Sequence, residues 1–240
     1  MNGVLLIARR ELFAYLRSPL GAVIIAGALL LDGIWFYWQG LTQKLLSAEV
    51  LQQFLYGASG TTMAAGLFVS MRLFAEERQT GTLVLLNTSP LKDWQIVAGK
   101  YLSALGVIVV LTALTAYMPA LILVNGKVSL GHVLVGYAGL VLIGSAAIAI
   151  GLFGSALARS QVVAIIVSAA ILACLLLLWA VARSVDPPLN RFLSALALHH
   201  DNFRPFMLGR LELGTVVYYL VMTYFFLLAS TKILEARRWR

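Results

Sequence analysis

The chain has 240 residues, of which 61% are hydrophobic and 12% charged, and its mean hydropathy is +0.90. Soluble domains hold roughly 45–50% apolar and ~25% charged residues, so this chain needs lipid as part of its solvent. The net charge of +8 sits at the ends of apolar runs, which is membrane topology and not a nucleic-acid footprint; the lone Cys174, inside such a run, excludes an internal disulfide and a cysteine metal cluster.

Residues 1–19 read as a helix lying at the membrane interface. Leu5, Ala8, Leu12, Tyr15 and Leu16 share one side and Arg10 and Arg17 the other, which puts apolar groups towards lipid and cations towards phosphates. A partner-binding helix has the same pattern. Arg9 and Arg10 ahead of an apolar stretch resemble a signal peptide, but Arg17 interrupts, the next run is span-length and no small-residue cleavage site follows, so a retained anchor is expected.

Crossing about 30 Å of hydrocarbon takes roughly 20 helical residues. Apolar runs near 20–38, 55–71, 102–124, 132–157, 161–182 and 214–231 therefore predict an all-α integral membrane fold of six spans in one domain over 1–240. Helix is required because amides in lipid must pair within their own segment. In the first run Asp32 is an intramembrane acid near Trp35, Tyr37 and Trp38. Such acids mark translocation paths or gates, or sit at the interface with a local partner. The second run is the least hydrophobic, with Gly57, Ser59, Gly60, Thr61 and Thr62, and suits packing against protein. In the fourth, Gly144, Ala147, Gly151 and Ser155 share a face that permits close helix approach, inside the chain or between subunits.

Orientation follows from the basic residues. Twelve fall on one side (Arg9, Arg10, Arg17, Arg72, Arg78, Lys92, Lys100, Arg159, Lys232, Arg237, Arg238, Arg240) and six on the other (Lys44, Lys127, Arg183, Arg191, Arg204, Arg210). The richer side is predicted cytoplasmic, with both termini.

Connections at 125–131 and 158–160 are tight, whereas 72–100 (inside) and 183–213 (outside) are long and polar. The inner stretch predicts a continuation of the second helix through Glu76, Glu77 and Arg78, a break at Gly81, a short helix over Leu83–Leu86, and a new start at Ser89-Pro90 or Asp93 running through Lys100. By charge alone it is either a lever docking on a soluble partner or a solvated turn. The outer stretch, with Leu189, Phe192, Leu193 and Leu196 at helical spacing after Pro187-Pro188, predicts an amphipathic or re-entrant element, with Gly209 turning into the last span. It suits gate lining or docking of a periplasmic subunit. His199 and His200 point about 100° apart on a helix, and even with Asp201 and His132 nearby they lack zinc-site spacing. Trp239 among Arg237, Arg238 and Arg240 reads as a membrane-surface anchor or a partner contact. No catalytic constellation is evident.

The run Glu76-Glu77-Arg78-Gln79-Thr80-Gly81-Thr82-Leu83 resembles the loop between the second and third spans of type-2 ABC transporter permeases, most closely the gliding-motility-associated subfamily. The tail Lys232–Arg240 and the outer segment from His199 through Phe203 and Gly209 to Tyr218 agree, so the resemblance covers nearly the whole chain. It implies a non-catalytic permease subunit of an exporter in a bacterial inner membrane. Glu76, Glu77, Arg78, Gly81 and Thr82 would form the coupling region seated on an ABC ATPase, which would hold the ATP and magnesium. A second permease copy or paralogue would complete the path, and Asp32, His199, His200 and Phe203 are the path or gate candidates. Cargo stays open, since related permeases serve copper-site maturation and haem export. In line with an ATPase in trans, the pairs Gly99-Lys100 and Gly126-Lys127 are followed by Tyr101 and Val128 and do not fit a phosphate-binding loop. The competing expectations are a mechanical relay onto a periplasmic partner without transport, and a stand-alone secondary transporter.

Overall fold

A computed structural model of the chain describes residues 3–41, 46–81, 92–126 and 128–238, and these are helical with no strand among them. In chain order the helices are α1 (Gly3–Arg17), α2 (Pro19–Phe36, extended by a π turn, Tyr37–Leu41), α3 (Ser47–Ser70), α4 (Arg72–Gln79), α5 (Asp93–Leu114), α6 (Tyr117–Asn125), α7 (Leu130–Leu157), α8 (Gln161–Ala182), α9 (Leu189–Leu196), α10 (His200–Met207) and α11 (Leu213–Arg238). The predicted short helix Leu83–Leu86, the start at Ser89-Pro90, and the positions Lys44, Thr82, Lys127, Trp239 and Arg240 lie outside the described residues.

The boundaries have local causes. Ser18 stands in extended backbone ahead of Pro19 and accepts the Gly21 amide at 3.0 Å, capping α2. Ser129 and Ser160 cap α7 and α8 in the same way. Gly81, at φ +74°, follows the last turn of α4, where glycine alone is unstrained.

Five described stretches are long and apolar enough to cross a membrane: Pro19–Gln39, Asp93–Val124, Leu130–Leu157, Gln161–Ala182 and Leu213–Ala236. The predicted second run is more polar than these, and in the structure it is the 24-residue α3, beginning well before residue 55. Its tolerance of Ser59, Thr62 and Ser70 has a simple cause: all three are buried against protein, so lipid does not have to solvate them.

The helix α7 runs through the centre, with Ile143, Ala146, Ala147, Ile148, Ala149 and Ile150 fully buried. Its small-residue face is an internal contact. A Cβ at Gly151 would lie 1.8 Å from Ser70 Oγ of α3, and Gly66 of α3 meets Ala147. Dispersion holds such backbones together where lipid supplies no hydrophobic drive.

The face expected of α1 needs correction. Ile7 and Leu12 pack on α5 at Gly99 and Gly106, and Tyr15 is buried. Leu12 and Tyr15, expected towards lipid, thus face protein, while Leu5, 60% exposed, and Leu16 remain exposed. The inward stripe is Ile7, Glu11 and Tyr15, at steps of four, with Ala8 and Leu12 beside it. A carboxylate on that stripe has a protein partner, which hydrophobicity alone does not reveal.

Candidate functional site

Two clusters of polar side chains lie at opposite ends of α7. At the α4 end, Ser155 of α7 accepts the amides of Phe74 and Ala75, both at 3.0 Å, and donates to the Met71 carbonyl at 2.8 Å. A serine hydroxyl has one hydrogen and two lone pairs, so the three bonds use its capacity in full. The Arg78 guanidinium bonds the Ala156 carbonyl at 2.7 Å and the Ala158 carbonyl, groups left open where α7 ends and where the helix dipole favours a cation. Thus α4 sits across the C-terminus of α7.

The same end holds a buried ion cluster. Lys100 of α5 is 1% exposed; its Nζ lies 2.6 Å from Glu77 Oε1 and 3.8 Å from Glu11 Oε1, with the Phe74 ring at 5.3 Å. One ammonium therefore joins α1, α4 and α5. Burial pushes the Glu77 carboxyl above the usual range, with the Lys100 charge and hydrogen bond opposing. Beside it, Arg72 pairs with Glu76 at 2.6 Å and lies 4.9 Å over the Tyr15 ring, whose hydroxyl donates to the Val69 carbonyl at 2.5 Å. Gln79, Thr80, Gly81, Lys92 and Trp94 border this cluster and are exposed.

At the α10 end, Asp32 is 2% exposed and meets Thr61 Oγ1 at 2.6 Å. His199 Nε2 lies 2.6 Å from Ser59 Oγ. Because Ser59 spends its hydrogen on the Tyr56 carbonyl at 2.7 Å, the imidazole is the donor. His199 stacks on Phe203 with centroids 5.2 Å apart and meets the Tyr56 ring edge-on at 5.3 Å. Burial, helped by His200, pushes the His199 imidazole down to about 4. His132 donates from Nε2 to the Met207 carbonyl at 2.7 Å. His200 turns away onto Trp179, 4.2 Å between centroids, and Arg183 lies 4.2 Å over the same ring. Among the described residues no three His, Cys, Asp or Glu side chains gather as a metal site would require.

A family model described as ABC-2 family transporter protein matches residues 42–201, well over half of the chain. The chain belongs to the ABC-2 transporter family. No curated protein matches it. Membership makes it a multi-pass membrane permease of an ABC transporter, in a family whose members are typically non-catalytic subunits, and it implies an ABC ATPase partner and surrounding lipid.

The candidate residues of this permease separate by position. Glu77 and Arg78 face inward, onto α5 and the end of α7; Glu76 pairs along its own helix, and Gly81 is exposed at the helix end. Asp32 and His199 converge on one stretch of α3, residues 56–61, and Phe203 stacks on His199, whereas His200 turns away onto Trp179. Sequence reasoning missed Glu11, Lys100 and Ser155 as parts of the α4 cluster. The step of four joining Ile7, Glu11 and Tyr15 was a readable sign of the first. Nothing local marks the other two, whose partners are 23 or more residues away.

Proposed function

We propose that this permease couples ATP binding and hydrolysis by a separate pair of ATPase chains to movement of six spans, α3 being the sixth, in an exporter of the gliding-motility-associated type. Both termini and the α4 end face the cytoplasm of a bacterial inner membrane, and a second copy or close paralogue completes the path. ATP and magnesium stay with the ATPase.

The observation that supports this reading best is the seating of α4. A cytoplasmic segment that only kept charges out of lipid has no need of two amide bonds to Ser155, an arginine on the end of α7 and a buried lysine bridging to α5. Those contacts stiffen the base of the 72–100 loop, which is what a lever needs. They also divide the labour within it. Glu77 and Arg78 hold the lever to the spans, and the exposed end at Gln79, Thr80 and Gly81 meets the ATPase, with Thr82 next in sequence.

The test is ATPase activity of the reconstituted complex with Gln79→Arg/Thr80→Trp in the permease. Loss of permease-stimulated ATP turnover, with an unchanged thermal midpoint for the isolated permease, is expected. Full stimulation in that variant refutes the docking surface.

A relay onto an outer partner without cargo is the second reading, favoured by α9, which has no buried residue and exposes Leu189 and Phe192. Co-purification of an outer-side protein with an empty central path is its signature.

A further inference from the structure

The outward face of α1 is cationic and apolar at once. Leu5, Arg9, Phe13 and Arg17 follow one another at steps of four and are all exposed, with Leu6 and Leu16 alongside. Arg9 and Arg17 stand one turn before and one turn after Phe13, and each holds its guanidinium over the Phe13 ring, at 5.9 and 5.8 Å. One ring thus keeps two cations close together. The helix cannot roll to hide them, because its other face is fixed: Ile7 lies on Gly99, Leu12 against Gly106, and the Tyr15 hydroxyl donates to the Val69 carbonyl.

The carboxylates that could balance these cations are committed elsewhere. At the α4 end Glu76 pairs with Arg72, Glu11 and Glu77 share Lys100, Glu235 pairs with Lys232, and Asp93 is only 9% exposed. Glu11 is the one acid of α1, and it is turned inward, so the outward face carries positive charge only. Among the described residues neither Arg9 nor Arg17 lies within ion-pair distance of a carboxylate. Their counter-charge must come from outside the chain.

Two features of the same face say what supplies it. Ser18 alone separates α1 from α2, the first membrane-length stretch, which holds Arg17 at the membrane surface. Beside the cations, Leu5, Leu6, Phe13 and Leu16 are all exposed. A free phosphate or an acidic soluble partner would match the charge and leave these four side chains without apolar cover. A phospholipid brings an anionic group and hydrocarbon together, the pairing that such a helix face suits.

We infer that Arg9, Phe13 and Arg17 form a site for the headgroup of an anionic phospholipid, with its acyl chains along Leu5, Leu6 and Leu16. The site rests on α1 lying at a membrane surface and is independent of the coupling function proposed above. It backs directly onto the α4 cluster, since Glu11 and Tyr15 on the opposite face of the helix reach Lys100 and Val69.

The experiment uses the full permease in phosphatidylcholine nanodiscs, in a Cys174→Ser background because the native thiol is exposed. A fluorescent label at Ala14→Cys, exposed beside Phe13, reports on the site, and one at Leu220→Cys, exposed on α11, is the reference. The quencher is a nitroxide-bearing phosphatidylglycerol or the same nitroxide on phosphatidylcholine. At 14 the phosphatidylglycerol is expected to reach half-maximal quenching at a roughly 5-fold or more lower mole fraction, the effect of one cation near an anionic surface, and at 220 the two lipids are expected to quench alike. Arg9→Gln/Arg17→Gln should abolish the preference at an unchanged thermal midpoint, and Arg9→Lys/Arg17→Lys should retain most of it. Equal quenching at 14 in the parent, a full preference in the Gln variant, or a preference indifferent to high salt overturns the site. Competition by inorganic phosphate for the same preference assigns the cations to a free anion and overturns the choice of lipid. A label at 14 that neither lipid quenches, beside a normal response at 220, overturns the membrane placement of α1 and leaves this face to a protein partner.

Discussion

Replacing Lys100 with methionine removes the ammonium that α1, α4 and α5 share while keeping a stem of similar length against Phe74. The change leaves Glu77, whose side chain is only 16% exposed, without its 2.6 Å partner. Taking one member from a buried pair costs about 3–5 kcal/mol, because the other charge stays desolvated, whereas replacing both by apolar groups is close to neutral. Lys100→Met is therefore expected to lower the folding equilibrium roughly 150- to 5000-fold, and Lys100→Met/Glu77→Leu to recover most of that. Glu77→Gln leaves the Lys100 ammonium, only 2% exposed, with the amide oxygen and Glu11 at 3.8 Å, so it is expected to cost more than the double variant.

A pH signature follows with a definite sign. The folded protein holds the Glu77 proton more tightly than the unfolded chain does, so this group's contribution is fully present below about 4.5 and is lost as pH rises through its higher folded value. Without Lys100 the folded value moves higher still, and the Lys100→Met deficit shrinks as pH falls from about 7 towards 5. Thermal unfolding of the purified permease in detergent at several pH values measures all of this. A Lys100→Met permease as stable as the parent, or a double variant as damaged as the single one, refutes the view that the cluster is a buried electrostatic joint.

At the opposite end, Thr61→Val leaves the buried Asp32 carboxyl without its hydroxyl partner and should destabilise by about 1–3 kcal/mol, whereas Asp32→Leu removes the need for that bond and should be far milder, Thr61 retaining the Ala58 carbonyl at 3.0 Å. Chemical denaturation of the two variants side by side decides it. His199 has its folded value, about 4, below the ordinary 6.5, so its contribution is present above about 6.5 and is lost as pH falls towards 4. Acid titration of stability should show this slope in the parent and lose it in His199→Gln, and an unchanged slope in the variant assigns the effect to another group. The His199 change bears on the contact that sets α10 against α3, and the Thr61 and Asp32 changes on the one that joins α2 to α3.

Much of the architecture was legible because its cause is local. The limits of α8 fell on the predicted 161–182, since Ser160 caps one end and an unbroken apolar run follows. The break at Gly81 and the turn at Gly209 needed only the rule that glycine reaches positive φ, and both do, at +74° and +70°. The face of α1 was misjudged for the opposite reason. Hydrophobicity put Leu12 and Tyr15 towards lipid with Leu5 and Leu16 and ignored Glu11, but Leu12 and Tyr15 pack on protein and the helix turns its carboxylate towards Lys100, 89 positions along the chain. The coupling candidates show the same limit: the order Glu76-Glu77-Arg78 marked a charged element, and its spacing said nothing of which charges faced partners within the chain.

Sequence alone determined that this protein is an all-helical membrane protein with a charged elbow between its second and third apolar runs, because each helix in lipid must satisfy its own amides and show its own solvent preference. Which side of α1 is inside, which elbow charges are anchors, and which end of the outer segment belongs to α7 were decided only in three dimensions. Hydrogen bonds and ion pairs such as Ser155 with Phe74, Lys100 with Glu77 and His199 with Ser59 join residues 23 to 140 positions apart, and no local pattern encodes a partner at that distance.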